Sequence, residues 1–163
     1  MAFSPLASIT SVAAPMLIDN INTVIIYPAR FLLISKREQI GQYLFYDWRY
    51  NRDNLVNKDF ILNDERFDGA RILLGGKNFG CGSSRENAVW ALLDYGIRCV
   101  IAPSFGEIFA NNCLQNGLIY ISVKEEKLKK LVEISENDQE ITVNLTDSRI
   151  FCGGALEIFF SML

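Results

Sequence analysis

The chain has 163 residues, half of them apolar and 21% charged, the profile of an ordinary globular protein long enough to bury its own core. Its net charge of −3 supplies no basic field for nucleic acid or an anionic membrane, and no run approaches the ~18 apolar residues of a membrane helix. There is no histidine, which removes the usual general base, zinc ligand and pH switch together. Acid–base chemistry therefore falls to carboxylates, Ser, Tyr, Lys, Cys or another chain.

In chain order, residues 1–18 lack a basic start, and Pro5 and Pro15 bracket their apolar part, so a strand near 9–14 is expected rather than a targeting segment. The apolar stretch Val24-Ile25-Ile26-Tyr27 follows, then residues 42–52, dense in aromatics and read as a packed corner of the core. Residues 71–74 predict a short buried strand running into the glycine-rich loop 75–82. A helix is expected over 84–95, with Ala88, Ala91, Leu92 and Tyr95 on one face and Gly96 as its stop. A strand over 98–102, a helix opened by Pro103-Ser104 and ended by Gly117, and a strand over 118–123 complete a β-α-β-α-β run with parallel strands. An amphipathic helix over 124–134 and strands over 139–145 and 150–160 end the chain. No repeat or linker divides it, so residues 1–163 are expected to form one α/β domain. The four cysteines, at 81, 99, 113 and 152, form no C-x-x-C pair and predict neither a zinc ribbon nor a ferredoxin-type cluster. Such spacing suits reduced thiols in the cytoplasm.

The segment Asn78-Phe79-Gly80-Cys81-Gly82-Ser83-Ser84-Arg85-Glu86 is the most informative. A strand entering a glycine-rich loop and then a helix brings backbone N–H groups to one point, with the helix dipole behind them. Arg85 adds a fork suited to a carboxylate, and Ser83 and Ser84 add hydroxyls. The same residues support a second reading, because Ser83 and Glu86 spell the S-x-x-E capping box, which needs no ligand. A dinucleotide loop would want a third glycine where Arg85 stands. Local pattern alone leaves an anion site and a helix cap both open.

That segment closely resembles the small-subunit family of the 3-isopropylmalate dehydratases, the swivel domain of the aconitase superfamily. The likeness continues through Trp90-Ala91-Leu92, Ile101-Ala102-Pro103-Ser104-Phe105 and Asn111-Asn112-Cys113. Upstream it includes Pro28-Ala29-Arg30-Phe31-Leu32, Lys36-Arg37 and Leu44-Phe45-Tyr46-Asp47-Trp48-Arg49-Tyr50, so that residues 9–123 are covered. The resemblance implies a swivelling β/β/α domain with a mostly parallel sheet and flanking helices. It further implies a large partner subunit carrying a 4Fe–4S cluster, with no cofactor on this chain, and a small dicarboxylate substrate. By the same resemblance Ser83 is the catalytic base, and Gly82, Ser84, Arg85, Thr23 and Arg37 bind substrate. A serine is a poor base unless its anion is stabilised, which Arg85 and the helix N-terminus can do.

The chain departs from the family in three places. The D-T-D motif stands here as Asn22-Thr23-Val24, S-S-R-E-H ends in Asn87, and the family continues past a strand like 156–158 whereas this chain stops at Leu163. These differences keep two other functions open: a non-catalytic paralogue that docks a large subunit, and a related hydratase of the citraconate, dimethylmalate or homoaconitate type.

Overall fold

The computed structural model describes residues 7–34, 37–154 and 156–161, the side chains of Arg37 and Glu38 excepted. In chain order its regular elements are β1 (Ser8–Ser11), β2 (Ala13–Met16), the short helices α1 (Thr23–Ile26) and α2 (Tyr46–Arg49), β3 (Ile72–Gly75), α3 (Glu86–Tyr95) and β4 (Cys99–Ala102). There follow α4 (Glu107–Asn116), β5 (Ile119–Ser122), α5 (Glu125–Glu136), β6 (Ile141–Asn144), β7 (Arg149–Cys152) and β8 (Leu156–Phe159).

The strands form two four-stranded sheets, β2-β3-β4-β5 wholly parallel and β1-β6-β7-β8 wholly antiparallel. The β3-α3-β4-α4-β5 run is as the sequence predicts, with Leu73 beside Val100 and Val100 beside Tyr120. Both faces of this sheet are covered, as a parallel sheet requires. Ile72, Leu74, Cys99 and Ile101 face the antiparallel sheet, where they meet Ile9, Val143 and Ile150. Leu73, Val100 and Ala102 face the other way, onto Ala88, Leu92 and Phe109 of the helices. The layers are therefore sheet, sheet, helix.

Two strand expectations need correction. The strand near 9–14 is two strands, because the chain changes sheets at Val12; there the Ser11 hydroxyl donates to Val12 O (2.7 Å) and accepts from Arg71 N (2.8 Å), serving backbone groups that neither ladder uses at the crossing. The strand over 150–160 is the hairpin β7–β8, turned at Gly153-Gly154. Both helix stops fall at the expected glycines, Gly96 and Gly117.

The aromatic corner is packed as expected. Phe31 stacks on Tyr43 with centroids 4.3 Å apart, and Arg30 lies 4.6 Å over Phe31 while its guanidinium pairs with Asp47. Asp94 of α3 accepts the Gly41 N–H at 2.7 Å, which fastens the 3-10 turn Arg37–Tyr43 to the helix that follows the glycine-rich loop. Among the described residues, no helix is long and apolar enough to cross a membrane.

Candidate functional site

The loop between β3 and α3 is held from three sides. Asp19 accepts from Lys77 N (2.8 Å), Lys77 O accepts from Asn20 N (2.8 Å), and Asn78 donates its side-chain amide to Asn20 (3.0 Å). Ser104, after β4, accepts from Asn78 N at 2.8 Å. Phe79 is fully buried and meets Phe109 of α4 edge-on, centroids 5.5 Å apart. Gly80 N then donates to Ile21 O (2.7 Å), and Cys81 O accepts from Thr23 N (3.2 Å), which draws α1 against the loop. Asn22 caps α1 by accepting from Ile25 N at 2.9 Å. The loop needs glycine at two places, since Gly80 and Gly82 have φ of +77° and +92°, a region unfavourable to residues with a β-carbon.

Helix α3 begins at Glu86, two residues later than expected, and its N-cap Arg85 makes no side-chain capping bond. The S-x-x-E capping box is not formed. The Ser84 hydroxyl instead reaches back to Gly80 O at 2.9 Å, a staple across the loop that turns the chain before the helix can start. Ser83 is left exposed, with no hydrogen bond to a described residue. The N–H groups of Arg85, Glu86 and Asn87 also have no backbone acceptor among the described residues, the usual condition of a helix start that can receive an anion.

Beside this loop lies an open cleft with a cavity volume of about 60 Å³. Its polar lining residues are Thr23, Ser83, Arg85 and Asn87, and its apolar ones are Val24, Tyr27, Ala29, Leu32 and Ala88. Tyr27 is buried and donates its hydroxyl to Phe31 O at 2.7 Å, which ties down the turn that carries Ala29 and Leu32; burial raises its pKa above the ordinary phenol value. Arg85 is the one charged group among the described residues lining the cleft.

Of the residues expected to form a site, Ser83, Arg85 and Thr23 meet at this cleft. Ser84 and Gly82 belong to the loop beside it, outside the lining. The side chain of Arg37, like all of Lys36, lies outside the described residues. Two lining residues, Asn87 and Val24, are the positions at which the sequence departs from the family motifs. Tyr27, Ala29, Leu32 and Ala88 also line the cleft, and the sequence reading assigned none of them to the site.

No three His, Cys, Asp or Glu side chains among the described residues are grouped to hold a metal ion. Cys99 and Cys113 sit in cores on opposite faces of the parallel sheet, and burial raises both thiol pKa values, that of Cys113 to about 12.

A sheet–sheet–helix sandwich presenting a Ser-Ser-Arg loop at a helix start is an aconitase-type domain, and the family described as the aconitase C-terminal domain matches residues 4–126. The chain is 46% identical over 155 residues to the 3-isopropylmalate dehydratase small subunit of Pelagibacter ubique, spanning 95% of this chain and 76% of that one. It is 52% identical over 133 residues to the protein of the same name from Geobacillus kaustophilus, spanning 81% and 68%. Its structure is similar to the crystal structure of 3-isopropylmalate dehydratase from Methanocaldococcus jannaschii, with a TM-score of 0.70 at 25% identity over 94% of this chain and 81% of that one. The chain belongs to the aconitase C-terminal domain family, on the branch of the 3-isopropylmalate dehydratase small subunits.

Proposed function

We propose that this chain is one half of a two-subunit cytoplasmic hydro-lyase that isomerises a branched hydroxy-diacid of the isopropylmalate type, the chemistry of leucine biosynthesis, by dehydration and rehydration. The observation that carries the reading is the meeting of Ser83, Arg85 and Thr23 at one cleft that apolar side chains also line. A ligand with a carboxylate and a branched alkyl group suits such a mixed lining. The volume also matters: about 60 Å³ is room for a few waters, whereas sites that enclose small ligands run to roughly 300 Å³ or more. A large subunit that closes the open side would complete the site.

In this reading Ser83 Oγ, as the alkoxide, takes the proton from the carbon next to the substrate carboxylate and returns it on the opposite hydration. Arg85 and the unpaired N–H groups at the start of α3 hold the negative charge, which a lone serine could not carry. Arg85 also grips the carboxylate, Thr23 bounds the cleft from α1, and Gly82 lets the backbone approach the substrate. Ser84 has its hydrogen committed to Gly80 and keeps its oxygen as an acceptor toward substrate. Arg37 completes the anion-binding set. Among the described residues no group of cysteines and carboxylates is placed to hold a cluster; membership of the family is what assigns the 4Fe–4S cluster to the large subunit, where it would supply Lewis acidity for the leaving hydroxyl.

A second reading is favoured by one observation: Val24 and Asn87, both departures from the family motifs, line this same cleft. A paralogue that docks a large subunit without turnover would carry such changes there. One experiment separates the two. The purified chain is mixed with a cluster-loaded large subunit, and the alkene formed from 2- or 3-isopropylmalate is followed by absorbance. Turnover in the mixture and none in either half is expected; a stable complex without turnover would establish the paralogue.

A further inference from the structure

We propose that Asn87 is a further substrate-contacting residue, its side-chain amide donating to the carboxylate that Arg85 holds; the proposal rests on the hydroxy-diacid reading above. Asn87 is the second residue of α3, half-buried, and lines the cleft with Ser83 and Arg85. Asn22, the N-cap of α1, spends its side-chain oxygen on Ile25 N (2.9 Å). Asn87, inside the first turn of α3, makes no such bond. Its amide has no hydrogen-bond partner among the described residues, so the fold does not use the group.

The chemistry of the expected ligand supplies the missing partner. A carboxylate offers about four acceptor sites. The Arg85 fork would fill two of them, one on each oxygen, and one of the two amide hydrogens suits a site that remains. The wall beside it keeps those hydrogens available: Val24, where the family motif has an acid, offers no acceptor to compete for them. The two departures thus act as a pair. The acid that would occupy the donors is absent, and the position that would titrate as histidine is a neutral donor.

Two variants, Asn87→Ala and Asn87→Asp, test this in the complex with a large subunit. Asn87→Ala is expected to raise KM about tenfold, equivalent to ~1.4 kcal/mol of binding, with a much smaller change in kcat. Asn87→Asp keeps the shape and puts a carboxylate where the helix dipole favours one. A purely structural Asn87 would therefore leave Asn87→Asp as stable as wild type with an ordinary KM. A substrate contact makes its KM worse than that of Asn87→Ala, because a donor becomes a repelling anion. An unchanged KM in both variants overturns the proposal, and so does a loss of Tm and kcat without a rise in KM. If the wild-type complex forms but does not turn over, the catalytic reading fails separately. Calorimetry with 2-isopropylmalate then decides: binding by wild type that is lost in Asn87→Asp upholds the contact, and equal binding, or none in wild type, overturns it.

Discussion

Gly80 lies against the ring of Phe109, so close that a β-carbon at residue 80 would overlap it. Its backbone is also left-handed, at φ +77°. Gly80→Ala therefore combines strain with a clash in the core and should cost about 3 kcal/mol or more. At Gly82 the φ of +92° is also unfavourable, but an added β-carbon would meet only Asn22 Cβ, at 3.7 Å. Gly82→Ala should cost about 1–2 kcal/mol and disturb activity more than stability. Thermal denaturation of the two variants side by side checks this; equal losses would contradict the packing.

Ser83 carries no cap and is exposed, so Ser83→Ala should change stability by no more than about 0.5 kcal/mol. Its kcat in the complex should fall by about 10²–10⁴, the range for a lost proton acceptor. Arg85→Lys should raise KM about tenfold, since an ammonium replaces the fork with a point charge. Steady-state kinetics with a melting curve for each variant separates these outcomes. Full activity with lowered stability in Ser83→Ala would return the serine to a helix-capping role.

Thiol labelling reads the layers directly. Cys99 and Cys113 are buried with raised pKa values, whereas Cys81 and Cys152 are partly accessible. Iodoacetamide at pH 8 should modify Cys81 and Cys152 in the native chain, and all four cysteines in denaturant, as seen by intact mass. Rapid labelling of Cys99 under native conditions would mean that the parallel sheet is not covered on both faces.

Val24 is 59% exposed, so Val24→Asp adds a carboxylate that stays in water and should leave the fold intact. In a site adapted to its present residues, Val24→Asp combined with Asn87→His should lower activity. Activity that appears only in this double variant, beside an inactive wild-type complex, would favour the paralogue.

The pair Arg30–Asp47 gives a pH-dependent prediction. The hydrogen bond from Arg30 is the main cause that lowers the Asp47 pKa below its ordinary value. A depressed carboxyl stabilises the fold above the unfolded-state pKa and loses that contribution as pH falls through the folded value. Both side chains are more than half exposed, so Asp47→Asn should cost under about 1 kcal/mol at pH 7. The gap between the two melting curves should close below about pH 4. A gap that persists at pH 2 would assign the loss to packing.

Helices α3 and α4 and strands β3, β4 and β5 were legible in the sequence because their cues are local: Ala88, Ala91 and Leu92 recur at helical spacing, and Gly96 and Gly117 stop the helices where expected; the short helices α1 and α2 were not. What was not legible depended on distant partners. Nothing local at Val12 says that one extended run serves two sheets. The S-x-x-E pattern was ambiguous because the staple from Ser84 to Gly80, which moves the helix start, is formed by the folded loop. At the site, Ser83 and Arg85 were visible as a motif. Tyr27, Ala29 and Leu32 carried no local sign of a place at the cleft, which they line beside α1, the helix that Ile21 O and Thr23 N bind to the loop.

The passage of the chain through Val12 has a consequence for assembly on the ribosome. Ser8 pairs with Asn144, while Ala13, five residues on, pairs with Ile72. Strand β2 can find its neighbour once residues 72–75 have emerged, but β1 waits for residues 141–144. Until then β1 is an unpaired edge beside a bare face of the parallel sheet, a sticky intermediate that a chaperone would shield. Once β6 arrives, β1 and β2 together join it to β3 across the two sheets. The two sheets should then lose amide protection against hydrogen exchange together rather than in sequence.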